Sequence, residues 1–207
     1  MAMWDRIKDQ AKGLQQQAQG ARSSGGHGQP GAAGPGAGHG AGPGAGGGSG
    51  HGGGHGGGAG GSKAQLVGVL KSQLSSLKAE LKSGAYRDAS MAMCALVAAA
   101  DGSVDPAERQ HVESLIVQND VLSNFPPEQL RQRFNKHVDQ LTANFPQGKA
   151  EALQEIAKAA KKPTEAKAVV QTGFVVAGAD GYIAPAEEQI LREACGVLNL
   201  SPQLFNL

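Results

Sequence analysis

The chain has 207 residues, with 19 basic and 18 acidic side chains and a formal net charge of +1. This balance, without a basic stretch interleaved with aromatic residues, argues against nucleic-acid binding. A membrane-spanning helix needs about eighteen consecutive apolar residues, and no apolar run in the chain is that long. The first residues lack the apolar core of a signal peptide. We therefore predict a cytoplasmic protein.

The first predicted element is a short amphipathic helix over residues 1–20. Trp4, Ile7, Ala11 and Leu14 recur there at helical spacing. A helix of this length is marginal alone in water, so it needs a partner surface. The alternatives are a membrane interface, another protein, and docking on its own domain or fraying. The first alternative would place the protein peripherally at the inner face of the membrane.

Residues 21–62 form a predicted disordered linker rich in glycine, histidine and proline. Positions 25–61 hold 22 of the 32 glycines and no aliphatic residue larger than alanine, so burial cannot offset the entropy of ordering this backbone. A Gly-rich chain of this length spans about 30–35 Å. The linker carries four histidines, His27, His39, His51 and His55. Their irregular spacing favours incidental polar residues over a Ni²⁺, Zn²⁺ or Cu²⁺ site.

The remaining 145 residues, 63–207, have an ordinary composition and suit one domain. Their apolar residues recur every three or four positions without strand-like alternation, so we predict an all-α fold, a compact bundle of about seven helices. The predicted helices cover 63–82, 85–100, a third from Pro106 capped by Asp105, 128–141, 149–160, 163–179 and a seventh from Pro185. A break is predicted at 144–146, and a short turn after Ser201.

One short sequence occurs twice, as VAAADGSVDPAERQ from Val97 and as VAGADGYIAPAEEQ from Val176. Residues 98–110 and 177–189 are identical at eight of thirteen positions. Each copy lies between an apolar helix and a helix that starts at proline, which indicates two pseudo-repeated helix–loop–helix units. Such units usually pack about an approximate twofold axis, so we expect the loops, or the helices flanking them, to lie near each other.

Each copy matches half of the calcium loop of an EF-hand. Asp101 and Asp180 fall on position 5, and Glu108 and Glu187 on position 12. The ligand positions 1 and 3 carry apolar residues or glycine, so one loop offers too few oxygens. If the loops meet, the four carboxylates form a site for a divalent cation, Ca²⁺, Mg²⁺ or Mn²⁺ rather than Zn²⁺. The alternative is that the acidic residues only cap helices and bind no metal.

No nucleophile and base stand together in a catalytic pattern, so we predict that the protein is not an enzyme. His111 and His137 are isolated on amphipathic helices and are expected on the surface. Cys94 and Cys195 lie on apolar segments. We expect a reduced pair, with a structural disulfide as the alternative.

The segments AADGSVDPAE, GADGYIAPAEE and VLNLSPQLF resemble the TerB family of tellurite-resistance proteins over about residues 85–207. The resemblance implies a compact helical domain with an acidic, metal-binding cluster, here Asp101, Glu108, Asp180 and Glu187. It also implies stress resistance alongside a TerC-like membrane protein and TerD-like calcium-binding proteins. Because tellurite is an anion, an acidic cluster would not receive it directly. The alternative function is a protein–protein scaffold whose acidic loops bind no metal.

Overall fold

The computed structural model describes residues 58–207, with side chains from Lys63 onward. Over this range the chain forms seven α-helices and no strand, which confirms the predicted all-α class. The helices are α1 Gly58–Ser76, α2 Gly84–Ala98, α3 Pro106–Gln118, α4 Pro127–Ala143, α5 Phe145–Ala157, α6 Pro163–Ala177 and α7 Pro185–Val197. Three short 3₁₀ turns cover Leu122–Asn124, Lys158–Lys161 and Pro202–Phe205. The helix predicted at 1–20 and most of the predicted linker lie outside the described residues.

Helix α2 forms the centre of the core. It packs mainly against α4, α5 and α6, and it also contacts α3 and α7. Eleven of its fifteen residues are buried, on every side of the helix. An all-round apolar helix of this kind belongs inside a domain. The three other helices that precede or follow the repeated loops, α3, α6 and α7, therefore all contact one buried helix.

Helices α2 and α6, which lead into the two repeated loops, pack closely together. A Cβ added to Gly173 of α6 would lie 2.7 Å from Met93 Cγ of α2. The Thr172 hydroxyl donates to a backbone carbonyl one turn earlier at 2.9 Å, so Tyr86 of α2 donates its hydroxyl hydrogen to Thr172 Oγ1, at 3.1 Å. Burial raises the pKa of Tyr86 to about 12, which keeps this hydroxyl protonated.

The helix predicted at 63–82 has different ends in the structure. It begins five residues earlier, within the predicted linker, and it ends six residues earlier, at Ser76. Asn124 Nδ2 donates to the carbonyl oxygens of Lys78 and Leu81 at 2.6 and 3.1 Å. These bonds satisfy carbonyls of the turn that follows Ser76, so the chain does not need to continue as a helix.

The break predicted at 144–146 is reduced to a single residue, because α5 begins two residues after the end of α4. Asn144 Oδ1 accepts from the backbone N–H of Gln147 at 3.2 Å and caps α5. A Cβ on Gly148 would lie 2.7 Å from the backbone nitrogen of Leu141. The missing side chain at Gly148 therefore allows α5 to turn back tightly against α4.

None of the helices in the described part of the chain is both long enough and apolar enough to cross a bilayer.

Candidate functional site

The two repeated loops start with the same turn. Asp101 Oδ1 accepts from the backbone N–H two residues further on at 3.1 Å, and Asp180 Oδ1 does the same at 3.0 Å. The next residues, Gly102 and Gly181, have φ angles of +94° and +84°, in the region that favours glycine. The Asp-Gly pair therefore specifies the same turn in both copies.

The two loops cap the following helix by different means. In the first copy Asp105 Oδ1 accepts from the backbone N–H groups of Ala107 and Glu108 at 2.8 and 2.9 Å. In the second copy the N-cap residue is Ala184, which has no side-chain acceptor. There Glu187 Oε2 accepts from the backbone N–H of Ala184 at 2.6 Å, which is one half of a capping box.

The glutamates of the two copies are much less accessible than the aspartates. Glu108 and Glu187 are 7% and 4% exposed. Asp101 is exposed and Asp180 is half-buried. Both glutamates lie in the first turn of their helix, where the positive end of the helix dipole stabilises a carboxylate. Each loop thus has a buried glutamate and a more accessible aspartate.

The structure does not gather the predicted metal ligands into one group. Across residues 63–207, no three or more His, Cys, Asp and Glu side chains are placed to hold a metal ion together. Ca²⁺ takes six to eight oxygen ligands, so carbonyls and water would have to supply most of the shell at a single loop. Metal binding by these four residues stays a prediction.

Three of the remaining titratable candidates, Cys94, Cys195 and His137, are buried, and His111 is half-buried. Cys94 and Cys195 are free and buried, as predicted for a reduced pair. Burial raises the pKa of the Cys94 thiol to about 12 and that of Cys195 to about 11, so neither forms the reactive thiolate at neutral pH. The prediction that His137 lies on the surface is wrong. It is buried, its pKa is lowered by burial, and its Nδ1 has no hydrogen-bond partner.

Sequence reasoning missed one neighbour of the second loop, the helix α1. Lys63 of α1 forms an ion pair with Glu188, which follows Glu187 in the first turn of α7. Val67 of α1 packs on Gly178, where an added Cβ would lie 2.5 Å from Val67 Cγ2. The sequence does contain a signal for this contact, because both residues that α1 touches here, Gly178 and Glu188, differ from their counterparts in the first copy.

These features define a class of protein: an all-helical domain built around two copies of a capped Asp-Gly loop. The family model described as "Tellurite resistance protein TerB" matches residues 87–207. Because this match covers more than half of the chain, the protein belongs to the TerB family, as the repeated motifs predicted. Searches of the curated proteins and of the solved structures found no match. Helix α1 precedes the matched residues.

Proposed function

We propose that this domain acts in tellurite and stress resistance as a non-catalytic interaction module. The family match over residues 87–207 is the observation that carries this proposal. The structural roles of the acidic loop residues give further support to this proposal. Asp101 and Asp180 fold their own turns, and Asp105 and Glu187 cap helices. Resistance would then be indirect, through assembly of partners rather than through capture of the oxyanion.

A second candidate function is divalent-cation binding at the loops, through Asp101, Glu108, Asp180 and Glu187. Asp101 favours it, because this exposed side chain uses only Oδ1 for its bonds to Ser103. A hard cation, Ca²⁺, Mg²⁺ or Mn²⁺ rather than Zn²⁺, suits such oxygen ligands. Each loop would bind separately and weakly, completing its shell with water.

The partners that we propose follow from the family resemblance. They are a TerC-like membrane protein and TerD-like calcium-binding proteins. We also propose that residues 1–20 make peripheral contact with the inner face of the membrane, since Trp4 and Ile7 lie at helical spacing among basic residues. Liposome flotation of the full chain against a Trp4→Ala, Ile7→Ala variant tests this contact. Equal flotation of the two chains would refute it.

The double variant Asp101→Asn, Asp180→Asn separates the two candidate functions. Asparagine keeps the side-chain oxygen that folds each turn but removes the charge that a cation requires. The interaction module predicts that this variant restores tellurite resistance to a deletion strain as well as the wild type does. Cation binding predicts loss of resistance, together with loss of a saturable heat when the full chain is titrated with Ca²⁺, Mg²⁺ or Mn²⁺. A deletion strain with unchanged tellurite tolerance would refute both.

A further inference from the structure

Helix α1 covers a surface of the second repeat. It packs against α6 and buries Leu70 and Leu74, while Val69 on its outer side is 54% exposed. We call the surface beneath it the α1 groove. The groove is formed by Gln171, Phe174 and Gly178 of α6, by Ile183 and Glu188 of the second loop and α7, and by Phe205.

Two residues of the α1 groove differ from their counterparts in the first repeat. Gly178 leaves room for Val67, whereas the equivalent residue in the first repeat is Ala99, whose methyl group would occupy that space. Glu188 attracts a cation on the helix, whereas its counterpart, Arg109, would repel one. The second repeat is therefore adapted to a helix with a basic residue in this position.

Helix α1 does not fill the groove. A cavity of about 140 Å³ remains beside Leu66. Ile183 and the rings of Phe174 and Phe205, whose centroids lie 5.9 Å apart, form much of its wall. The cavity is partly open to solvent, and Lys63, Glu188 and the last two residues of the chain complete its lining. It leaves room for a larger apolar residue in place of Leu66.

Several features make α1 replaceable. Three glycines near its start and Gly68 in its middle lower its helix stability. Gln73 accepts from Gln171 Nε2 at 3.1 Å, but the buried Gln171 Oε1 has no hydrogen-bond partner. A half-satisfied buried amide weakens the interface that contains it. The turn after Ser76 is anchored separately from α1, by the bonds from Asn124 to the carbonyls of Lys78 and Leu81.

We propose that α1 is a replaceable occupant of the groove, and that the groove binds an amphipathic helix of a partner protein. That helix carries a lysine or arginine opposite Glu188, a small apolar residue over Gly178, and phenylalanine or methionine in place of Leu66. This proposal rests on the proposed role of the domain as an interaction module.

A labelled peptide of residues 62–78 carrying Leu66→Phe and Gly68→Ala tests the proposal by fluorescence anisotropy with the full chain. Val67→Asp in the chain loosens α1, so the peptide should bind at least tenfold more tightly than to the wild type, whose tethered helix competes at high effective concentration. Val69→Asp, on the outer side of α1, is the matched control and should leave the affinity unchanged. Adding Gly178→Val should abolish binding to the Val67→Asp chain, because the valine side chain would occupy the space in which the peptide helix packs against α6.

A second variant guards against loss of folding in the Val67→Asp chain. Lys63→Glu should raise peptide affinity several-fold by breaking the ion pair with Glu188, and adding Glu188→Lys should reverse the rise by restoring the pair within the chain. No peptide binding to a folded Lys63→Glu chain would overturn the proposal. A wild-type chain that dimerises by exchanging α1 would also overturn it, since a second copy would then be the occupant. Neither outcome affects the tellurite assay, so the failure of each proposal is recognisable.

Discussion

The different caps of the two loops make a sharp prediction about stability. Ala184 has the backbone angles of an N-cap, φ −71° and ψ 153°, and its N–H is already bonded to Glu187. In an Ala184→Ser variant, the new hydroxyl can accept from the backbone N–H of Glu187 and complete the capping box. An N-cap serine in place of alanine is worth about 1 kcal/mol. For a domain of this size, that gain corresponds to a rise of roughly 2–4 °C in melting temperature.

The reverse change is available in the first loop. Asp105→Ala removes the acceptor of two backbone N–H groups, so the free energy of unfolding should fall by about 1 kcal/mol. Asp105→Asn is the matched control, because asparagine caps helices about as well as aspartate. It should leave stability close to that of the wild type.

Urea denaturation of the full chain, followed by circular dichroism at 222 nm, measures all three variants. Equal m-values would show that the variants unfold the same surface, so that midpoint shifts report stability. No gain from Ala184→Ser would refute the capping argument for the second loop. An Asp105→Asn chain as unstable as Asp105→Ala would show that the charge matters rather than the cap.

Three further predictions concern the core. Gly148→Ala should destabilise the domain by about 1–3 kcal/mol, because the new Cβ would lie 2.7 Å from a backbone atom of α4. Gly196→Ala has nothing within 4 Å of its new Cβ and should stabilise the domain by up to about 1 kcal/mol. Equal urea midpoints for the two variants would contradict this. Cys94 and Cys195 should resist a thiol reagent at pH 8 until the chain is unfolded, and rapid native labelling would contradict their burial. Burial lowers the pKa of His137 in the folded chain, so the unfolded chain binds a proton there at a higher pH than the folded chain does. The stability that neutral His137 allows is therefore fully present above the unfolded pKa of about 6.5, and it is lost as the pH falls through the lower folded pKa. A His137→Gln variant should therefore lose less stability than the wild type between pH 7 and pH 5.

The helices could be predicted from sequence because their signals are local. Leu130, Phe134, Val138 and Leu141 recur at helical spacing, and all four are buried in α4. Asp105 was predicted as a cap, and it caps α3. These assignments depend on residues within one or two turns of each other, so no knowledge of the packing was needed.

The end of α1 was not predictable in the same way. It depends on Asn124, which reaches back to the carbonyls of Lys78 and Leu81 across more than forty residues of sequence. The burial of His137 likewise depends on neighbours that lie elsewhere in the chain. Contacts between distant segments leave no periodic signal in the sequence, and they decide where a helix stops and which polar side chain enters the core.

For the candidate site, the turn was predictable but the grouping of its acids was not. Asp-Gly specifies its own geometry at Asp101 and Asp180 because the hydrogen bond spans two residues and glycine accepts the positive φ. Whether two such loops meet depends on how whole helices pack. The apolar residues that drive that packing carry no information about carboxylate distances.

The two loops meet the requirements of a helix N-terminus with different residues. The first backbone N–H groups of α3 and α7 need acceptors in either copy. The first copy uses Asp105 at the N-cap, and the second, which has alanine there, uses Glu187 three residues later to hold the N-cap N–H. A cation site would keep the same oxygens at the same positions in both loops. Asp105 has no acidic counterpart at Ala184, so helix capping explains it better than cation binding does, whereas the aspartates and the glutamates of the two copies do keep their positions. Cation binding is therefore best tested at exposed Asp101.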